Sequence, residues 1–462
     1  MKKIITQETF NETFRENVTE LDMNSEEALA ETIQQFQAQG VDLSNIVKTV
    51  EMARGLDPIK QIVDNLKKIH DAGTESEMCS EILYNLTQSR KLCSSNLAYK
   101  MLAGKNGLYN TLLRLLNRSK GNETLVVSCL ETLTDVMDGY PDLLDDDGVK
   151  EIVYFLENEV SVPVIKLTLR WASVCCIKHE SNRQKFFSNN IVTLLKKFIT
   201  PDVDTMLLKG ACGLIWAMTL DDDIRALVPN AHNHACAFAA EYLEPLVQIL
   251  NVVKDENILS EVVNTLSSIM VRNEFCEVVS RNDGIKFIMA MLNEYRYNLV
   301  LARRILKLLT NLAGNDNVKS DIMDNNAAEK ITSLLNEYIT DSTMVKSIAL
   351  LISKLTLRME KYGLAFIKLG VVELITQAMK VHLCNVELLR NCCWALRNIA
   401  VHNKHLKEYF IQMGVEEVVN HIGIKFEEIS QDCNAVLIAL DCPVKLTEQW
   451  VGKTGDKLAE NK

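Results

Sequence analysis

Proline and glycine are scarce in this chain, at 7 and 18 of 462 residues. So little turn chemistry excludes a many-stranded β protein and favours long helices joined by short loops. Long apolar runs are missing too: none approaches the ~20 residues that a membrane span needs. The opening stretch MKKIITQETFNETF has no apolar core of signal-peptide type, so neither a membrane nor secretion is expected. Excess positive charge is absent. At a formal net charge of −11, nonspecific attraction to phosphate backbones is excluded and no nucleic-acid partner is expected. The acidic balance favours basic segments as partners. Paired cysteine spacing is the last absence. None of the 13 cysteines forms a C-x-x-C pair, and the adjacent Cys175-Cys176 and Cys392-Cys393 fall inside apolar runs. Reduced, buried thiols in a cytoplasmic protein, with the nucleus as a further compartment, explain this better than a metal cluster or a disulfide framework.

What is present is apolar residue, 47% of the chain, enough for an extensive core. The pattern predicts a helical N-terminal segment over 1–50. Asn24 precedes Glu27 at capping-box spacing, Leu29, Ile33 and Phe36 line one face, and Gly40 closes the helix. Val41, Leu43, Ile46 and Val47 follow as docking positions. A linker is expected over 51–57, with Pro58 opening the next helix and a repeat array running over 58–450. The tail over 451–462, GKTGDKLAENK with its flank, is expected to be disordered.

A period emerges after Pro58. An apolar-x-x-apolar core recurs at Leu83-Leu86, Leu133-Val136, Trp171-Val174, Ile215-Met218, Leu266-Ile269, Leu309-Leu312, Ile352-Leu355, Leu396-Ile399 and Leu437-Leu440. Steps between first members are 50, 38, 44, 51, 43, 43, 44 and 41 residues. Repeats of armadillo or HEAT type run ~40–47. A small or turn residue stands 18 positions after the anchor at Gly284, Ala327, Gly370 and Gly414, with Asn189 and Gly148 in related places. Such a residue suits a sharp turn between a short first helix and a second one, which favours the three-helix armadillo unit. The fold class expected is all-α: a right-handed superhelical solenoid of about eight armadillo-type repeats. No unit can bury its apolar stripe alone, so stacking supplies the core.

The stretches TQETF…REN, QFQAQGVDLSNIVKT, PDLLD, KHESNRQ, DDDIR, HNHA, RNEFC, GNDNVK and WALRNIAVHN occur in this order. Together they resemble the armadillo repeat-containing protein 6 family, within the armadillo-repeat superfamily. The likeness runs from about residue 4 to about 450. It implies a soluble, adaptor-like protein without established enzymatic activity, and it supplies no partner.

Three constellations stand out. Trp394, Arg397 and Asn398 share one helix face. In importin-like armadillo proteins, ladders of Trp and Asn line the groove and hold an extended basic chain. Here the ladder is nearly missing: positions aligned with Trp394 hold Gly213, Asn264, Lys307 and Leu350, and those aligned with Asn398 hold Ala217, Ser268, Asn311 and Lys354. An importin-like transport receptor is therefore the alternative, and Trp394, Arg397, Asn398 and Asn311 are read as single groove contacts. The plain alternative is a Trp that packs between helices. Short polar runs, Asp221-Asp222-Asp223, Arg272-Asn273-Glu274, Asn315-Asp316-Asn317 and His402-Asn403, follow the anchors and are read as helix caps.

The third constellation is the segment from Pro229 to Cys236. The step across it is 51, so extra residues are expected there in an enlarged loop. A zinc site from His232, His234 and Cys236 lacks paired spacing and a fourth ligand. A solvated loop is the second reading. The third is modification: His-x-His with a small middle residue is the motif of a class of protein histidine methyltransferases, with His232 as acceptor and His234 as recognition element. No Walker loop, G-x-S-x-G or H-E-x-x-H occurs. The expected function is a monomeric, non-enzymatic scaffold that binds a partner peptide or helix on the concave face of the array, without cofactor or metal.

Overall fold

The computed structural model describes residues 3–75, 77–158 and 160–444; the tail expected over 451–462 lies outside them. The chain divides into two compact units, Met1–Pro245 and Leu246–Lys462. Among the described residues 27 α-helices carry the fold, and the one strand pairing is two residues long, Lys3–Ile4 against Val41–Asp42. The fold is an all-α solenoid stack, as the period predicts.

The three-helix module is most regular in the second unit. First helices of nine residues (Asn273–Arg281, Asp316–Asp324, Glu360–Lys368) precede second helices of 11 (Gly284–Glu294, Ala327–Glu337, Val371–Val381). Third helices follow at Leu299–Leu312, Ser342–Thr356 and Val386–His402. Each is flanked by further third helices, Glu256–Ile269 before and Ser430–Ala439 after. In the first unit the third helices are Cys79–Ser95, Glu123–Met137, Val162–Cys176 and Thr205–Met218. Every apolar anchor begins on one of them.

Why these helices form the core is visible in Leu299–Leu312. Leu301, Ala302, Ile305, Leu306, Leu308, Leu309 and Leu312 are fully buried, while Val300, Arg303, Arg304, Lys307 and Asn311 stay outside. Buried apolar positions therefore fill a little under half of the helix circumference, and neighbouring helices cover them. Each buried Leu contributes roughly 1.5–3 kcal/mol relative to exposure, which explains why stacking rather than propensity holds the unit.

The turn between first and second helices uses a left-handed backbone, at φ 76° in Gly370 and 79° in Gly414. In two other modules the same conformation falls one residue before the predicted position, on Asp283 and Asn326 rather than Gly284 and Ala327. Asn190 carries it rather than Asn189. Short polar side chains tolerate this region, so the turn needs no glycine. Gly148 has another role. It lies in the first turn of the helix Asp146–Glu157, where a Cβ would come within 2.2 Å of the Tyr109 hydroxyl. It is there for close packing.

The N-terminal segment has its own core of Phe10, Phe36, Val41, Leu43 and Ile46. Asn24 caps the helix Ser25–Ala38 by accepting from the amides of Glu26 and Glu27. The stretch expected as a linker over 51–57 shares the one-turn helix Val50–Ala53, with Met52 and Ala53 buried. Asn11 Nδ2 donates to the Met52 carbonyl at 2.9 Å, tying it down.

The 51-residue step corrects one expectation. The extra residues form a loop over 219–230, and the helix Ala231–Val252 replaces the usual first and second helices. The His-x-His motif therefore lies in the first turn of a helix, not in the loop. Residues 235–242, ACAFAAEY, combine strong helix formers with an apolar face formed by Ala235, Phe238, Ala239 and Tyr242. That pattern extends the helix back over the histidines.

Candidate functional site

Two surfaces gather the residues singled out in the sequence. The first is the outward stripe of the third helices in the second unit. Trp394 is 36% exposed, and its Nε1–H donates to Asp432 Oδ1 at 2.8 Å. Arg397 is exposed, with no ion pair among the described residues. Asn398 is half-buried and donates from Nδ2 to the Ser353 carbonyl on the preceding third helix at 2.8 Å. Asn311 does the same to Ser267 at 3.0 Å. One repeated position thus links successive third helices, and each carboxamide keeps its Oδ1 without a partner among the described residues. An asparagine here is half a structural clamp and half a surface acceptor.

Between Leu299–Leu312 and Ser342–Thr356 this stripe opens into a concavity of about 520 Å³, with Val300, Arg303, Lys307, Asn311 and Leu350 in its lining. Its charge is opposite to that of the whole chain. The net charge of −11, from which basic partners are expected, does not describe this face, because the surplus carboxylates lie on other elements. Sequence comparison at the Trp394 and Asn398 positions meets Lys307 and Lys354 but reads them only as breaks in the ladder. The signal was present four residues before Trp394, where Arg303, Lys346 and Arg390 recur at steps of 43 and 44.

The second surface is the loop over 219–230 and the helix turn after it. Asp222 and Asp223 cap backward across the stack: Asp223 Oδ2 accepts from the Glu180 amide at 2.9 Å, and Asp222 Oδ2 from the Lys178 amide at 3.0 Å. Buried Arg183 donates to Asp222 Oδ1 at 2.7 Å, to Glu180 Oε2 at 2.9 Å and to the Cys176 carbonyl at 2.8 Å. Arg225 bridges Asp142 at 2.7 Å and Asp223 at 2.9 Å. The hydrogen bond from Arg225 holds the Asp223 carboxyl far below the usual carboxylate range, against the opposing effect of burial. These charges fix the loop backbone. Ile224, Leu227 and Val228 nonetheless point to solvent, at 101%, 98% and 74% exposure. Nothing in the sequence distinguished these three from core residues.

The two histidines part company. His232 is exposed, with Nε2 3.6 Å from Cys236 Sγ one turn on. His234 is buried, its ring 4.5 Å from that of Phe187. Its Nδ1 lies 3.2 Å from the Met218 carbonyl, an acceptor, so Nδ1 carries the proton and donates. Nε2 then accepts from Gln184 Nε2 at 3.3 Å. Two residues apart on a helix, the imidazoles face nearly opposite ways. The set His232, His234 and Cys236 does not converge, and no group of three or more potential metal ligands is arranged around a common point among the described residues. No helix among them is long and apolar enough to cross a membrane.

Comparison with known proteins agrees with this architecture. A fly protein from Drosophila melanogaster, the armadillo repeat-containing protein 6 homolog, is 34% identical over 99% of this chain and 100% of its own length. The Homo sapiens armadillo repeat-containing protein 6 is 32% identical over 74% of this chain and 71% of its own. A crystal structure of an engineered protein superposes with a TM-score of 0.58 at 17% identity, covering 84% of this chain and 100% of that one, a likeness of fold alone. The ARMC6 family model matches residues 59–459, and the model of the armadillo repeat-containing protein 6 N-terminal domain matches residues 2–76. Repeats, N-terminal segment and relatives agree, and the chain belongs to the armadillo repeat-containing protein 6 family.

Proposed function

We propose that this chain is a non-enzymatic interaction scaffold whose third-helix stripe in the second unit holds an extended segment of a partner protein. One observation carries the reading. Trp394 and Arg397 stand exposed on the same stripe as the half-buried Asn311 and Asn398, beside a concavity that the described residues leave open. Trp and Arg are the side chains most often found to dominate binding energy. The protein acts as a monomer in the cytoplasm. An importin-like receptor would need the Trp–Asn pair on several helices, and this stripe has it on one.

The test uses Arg397→Glu, since Arg397 has no ion pair to lose among the described residues. Quantitative mass spectrometry of proteins co-purifying with the full chain should show a subset depleted relative to wild type. The exposed Lys286→Glu, on a second helix, should leave that subset in place. Melting of the Arg397 variant should stay within ~2 °C of wild type, as expected for a surface change below about 0.5 kcal/mol. An unchanged partner set would remove the stripe from the account.

We further infer that His232 is N-methylated by a histidine methyltransferase that uses His234 as its recognition element. Exposure of His232 beside an anchored loop supports this. Because His234 is buried, the enzyme must engage the segment with the first turn of Ala231–Val252 opened, and helix ends are where opening costs least. Mass spectrometry of the peptide over 226–245 from cells should show an increment of about 14 Da on His232. An unmodified peptide from cells that contain such an enzyme would exclude the inference.

A further inference from the structure

We infer that the segment held by the third-helix stripe is acidic, an extended stretch rich in Glu or Asp with an apolar side chain among them. This rests on the stripe being the docking surface. The helix Leu299–Leu312 carries Arg303, Arg304 and Lys307 and no carboxylate. Ser342–Thr356 carries Lys346 and Lys354, again with none. Val386–His402 adds Arg390 and Arg397 against a single acid, Glu387. Three consecutive third helices thus present seven cations and one carboxylate in a chain whose net charge is −11. All seven lie on the non-buried side of their helices.

Their pairing separates the structural charges from the available ones. Arg304 reaches Glu261 at 2.9 Å, Lys346 reaches Glu387 at 2.9 Å, and Arg390 lies 3.5 Å from Asp432. Arg303 donates to the Thr343 hydroxyl at 2.6 Å. Lys307, Lys354 and Arg397 have no carboxylate at ion-pair distance among the described residues. Like charges held close along a packed stack repel one another, and an anionic partner relieves that repulsion while gaining attraction.

The dimensions choose between anionic partners. The stripe is bounded by Glu261 on the helix before it and Asp432 on the helix after it. Neighbouring helix axes pack 8–10 Å apart, so three helices span roughly 20 Å, the reach of about six extended residues. A nucleic acid of useful length would run its phosphates onto the flanking carboxylates. Val300, 54% exposed, and half-buried Leu350 also line the concavity between the cations. They call for an apolar side chain, which a phosphate backbone does not bring.

Fluorescence anisotropy with the full-length protein tests this. The probe is a labelled peptide of alternating Glu and Leu; the comparisons are its Glu→Gln and Glu→Lys versions and a labelled single-stranded DNA oligonucleotide. The Glu peptide should bind tightest, and its affinity should fall with added salt. Lys307→Glu combined with Lys354→Glu should weaken it by roughly tenfold or more, since two exposed attractions become repulsions. Lys286→Glu should leave it unchanged, and all variants should melt like wild type. Equal binding of the Glu peptide to the paired variant overturns the inference. Tighter binding of the Gln or Lys peptide, lost in Trp394→Ala, overturns the acidic class while the stripe remains the docking surface. No peptide binding removes both, and preference for the oligonucleotide overturns the inference in favour of nucleic acid.

Discussion

At the scale of single residues, His234 shows what a motif cannot reveal about itself. In the sequence it is one half of a His-x-His pair. In the fold it is a core residue, its ring tilted against that of Phe187 and fixed as the Nδ1–H tautomer by the Met218 carbonyl. Burial pushes its pKa down from 6.5, and the hydrogen bond to Met218 only partly offsets this. The folded state therefore holds His234 neutral where the unfolded chain would take a proton. Its stabilising contribution is complete above the unfolded value near 6.5 and is lost as pH falls through the lower folded value. Melting temperature should decline as pH drops below 6.5, and His234→Gln should flatten part of that decline while lowering stability at neutral pH. Thermal scans over a pH series read both, and an identical pH slope in the variant would show that His234 is not buried in one charge state. The periodicity could not separate His232 from His234 because the sequence contains no partner signal. Gln184 and Phe187 lie about 50 residues away, on another helix.

At the scale of elements, most of the module was legible. All nine anchors begin on third helices because apolar i,i+3 spacing reports directly on the buried stripe. Turn positions were less legible, because the left-handed residue is set by helix ends rather than by glycine alone. The chain places Gly370, Gly414, Asn326 and Asp283 in that conformation in successive modules. The interchange yields a prediction at Gly370, φ 76°, where no atom stands within 4 Å of a would-be Cβ. Gly370→Asn should cost under about 1 kcal/mol, while Gly370→Val should cost roughly 2 kcal/mol, because a β-branched residue pays the left-handed penalty in full. Denaturant unfolding distinguishes them, and equal losses would show that the turn relaxes out of the left-handed region. The loop over 219–230 was anticipated as an insertion yet misplaced by a few residues. Its length was visible in the 51-residue step; its end was not, since AHNHACAFAAEY reads as helix only once Ala235, Phe238, Ala239 and Tyr242 are known to face the core.

At the scale of the whole molecule, net charge proved a poor guide to a surface. The chain carries 61 acidic and 50 basic residues, and the acidic surplus says nothing about three helices that hold seven cations and one carboxylate. Repeat proteins allow this separation because each module presents the same positions to solvent, so charge accumulates along one stripe by repetition. Family membership and the solenoid fold follow from the period and the relatives; the use of the stripe as a docking surface is open to a direct test in cells. Site-specific photo-crosslinking tests it most directly. A photoreactive amino acid at position 354 or 397 should capture partner protein in cells, and the captured peptide should be rich in Glu or Asp. The same group at position 286, on a second helix, should capture none of it. Capture at 286 alone, or equally at all three positions, would contradict the claim.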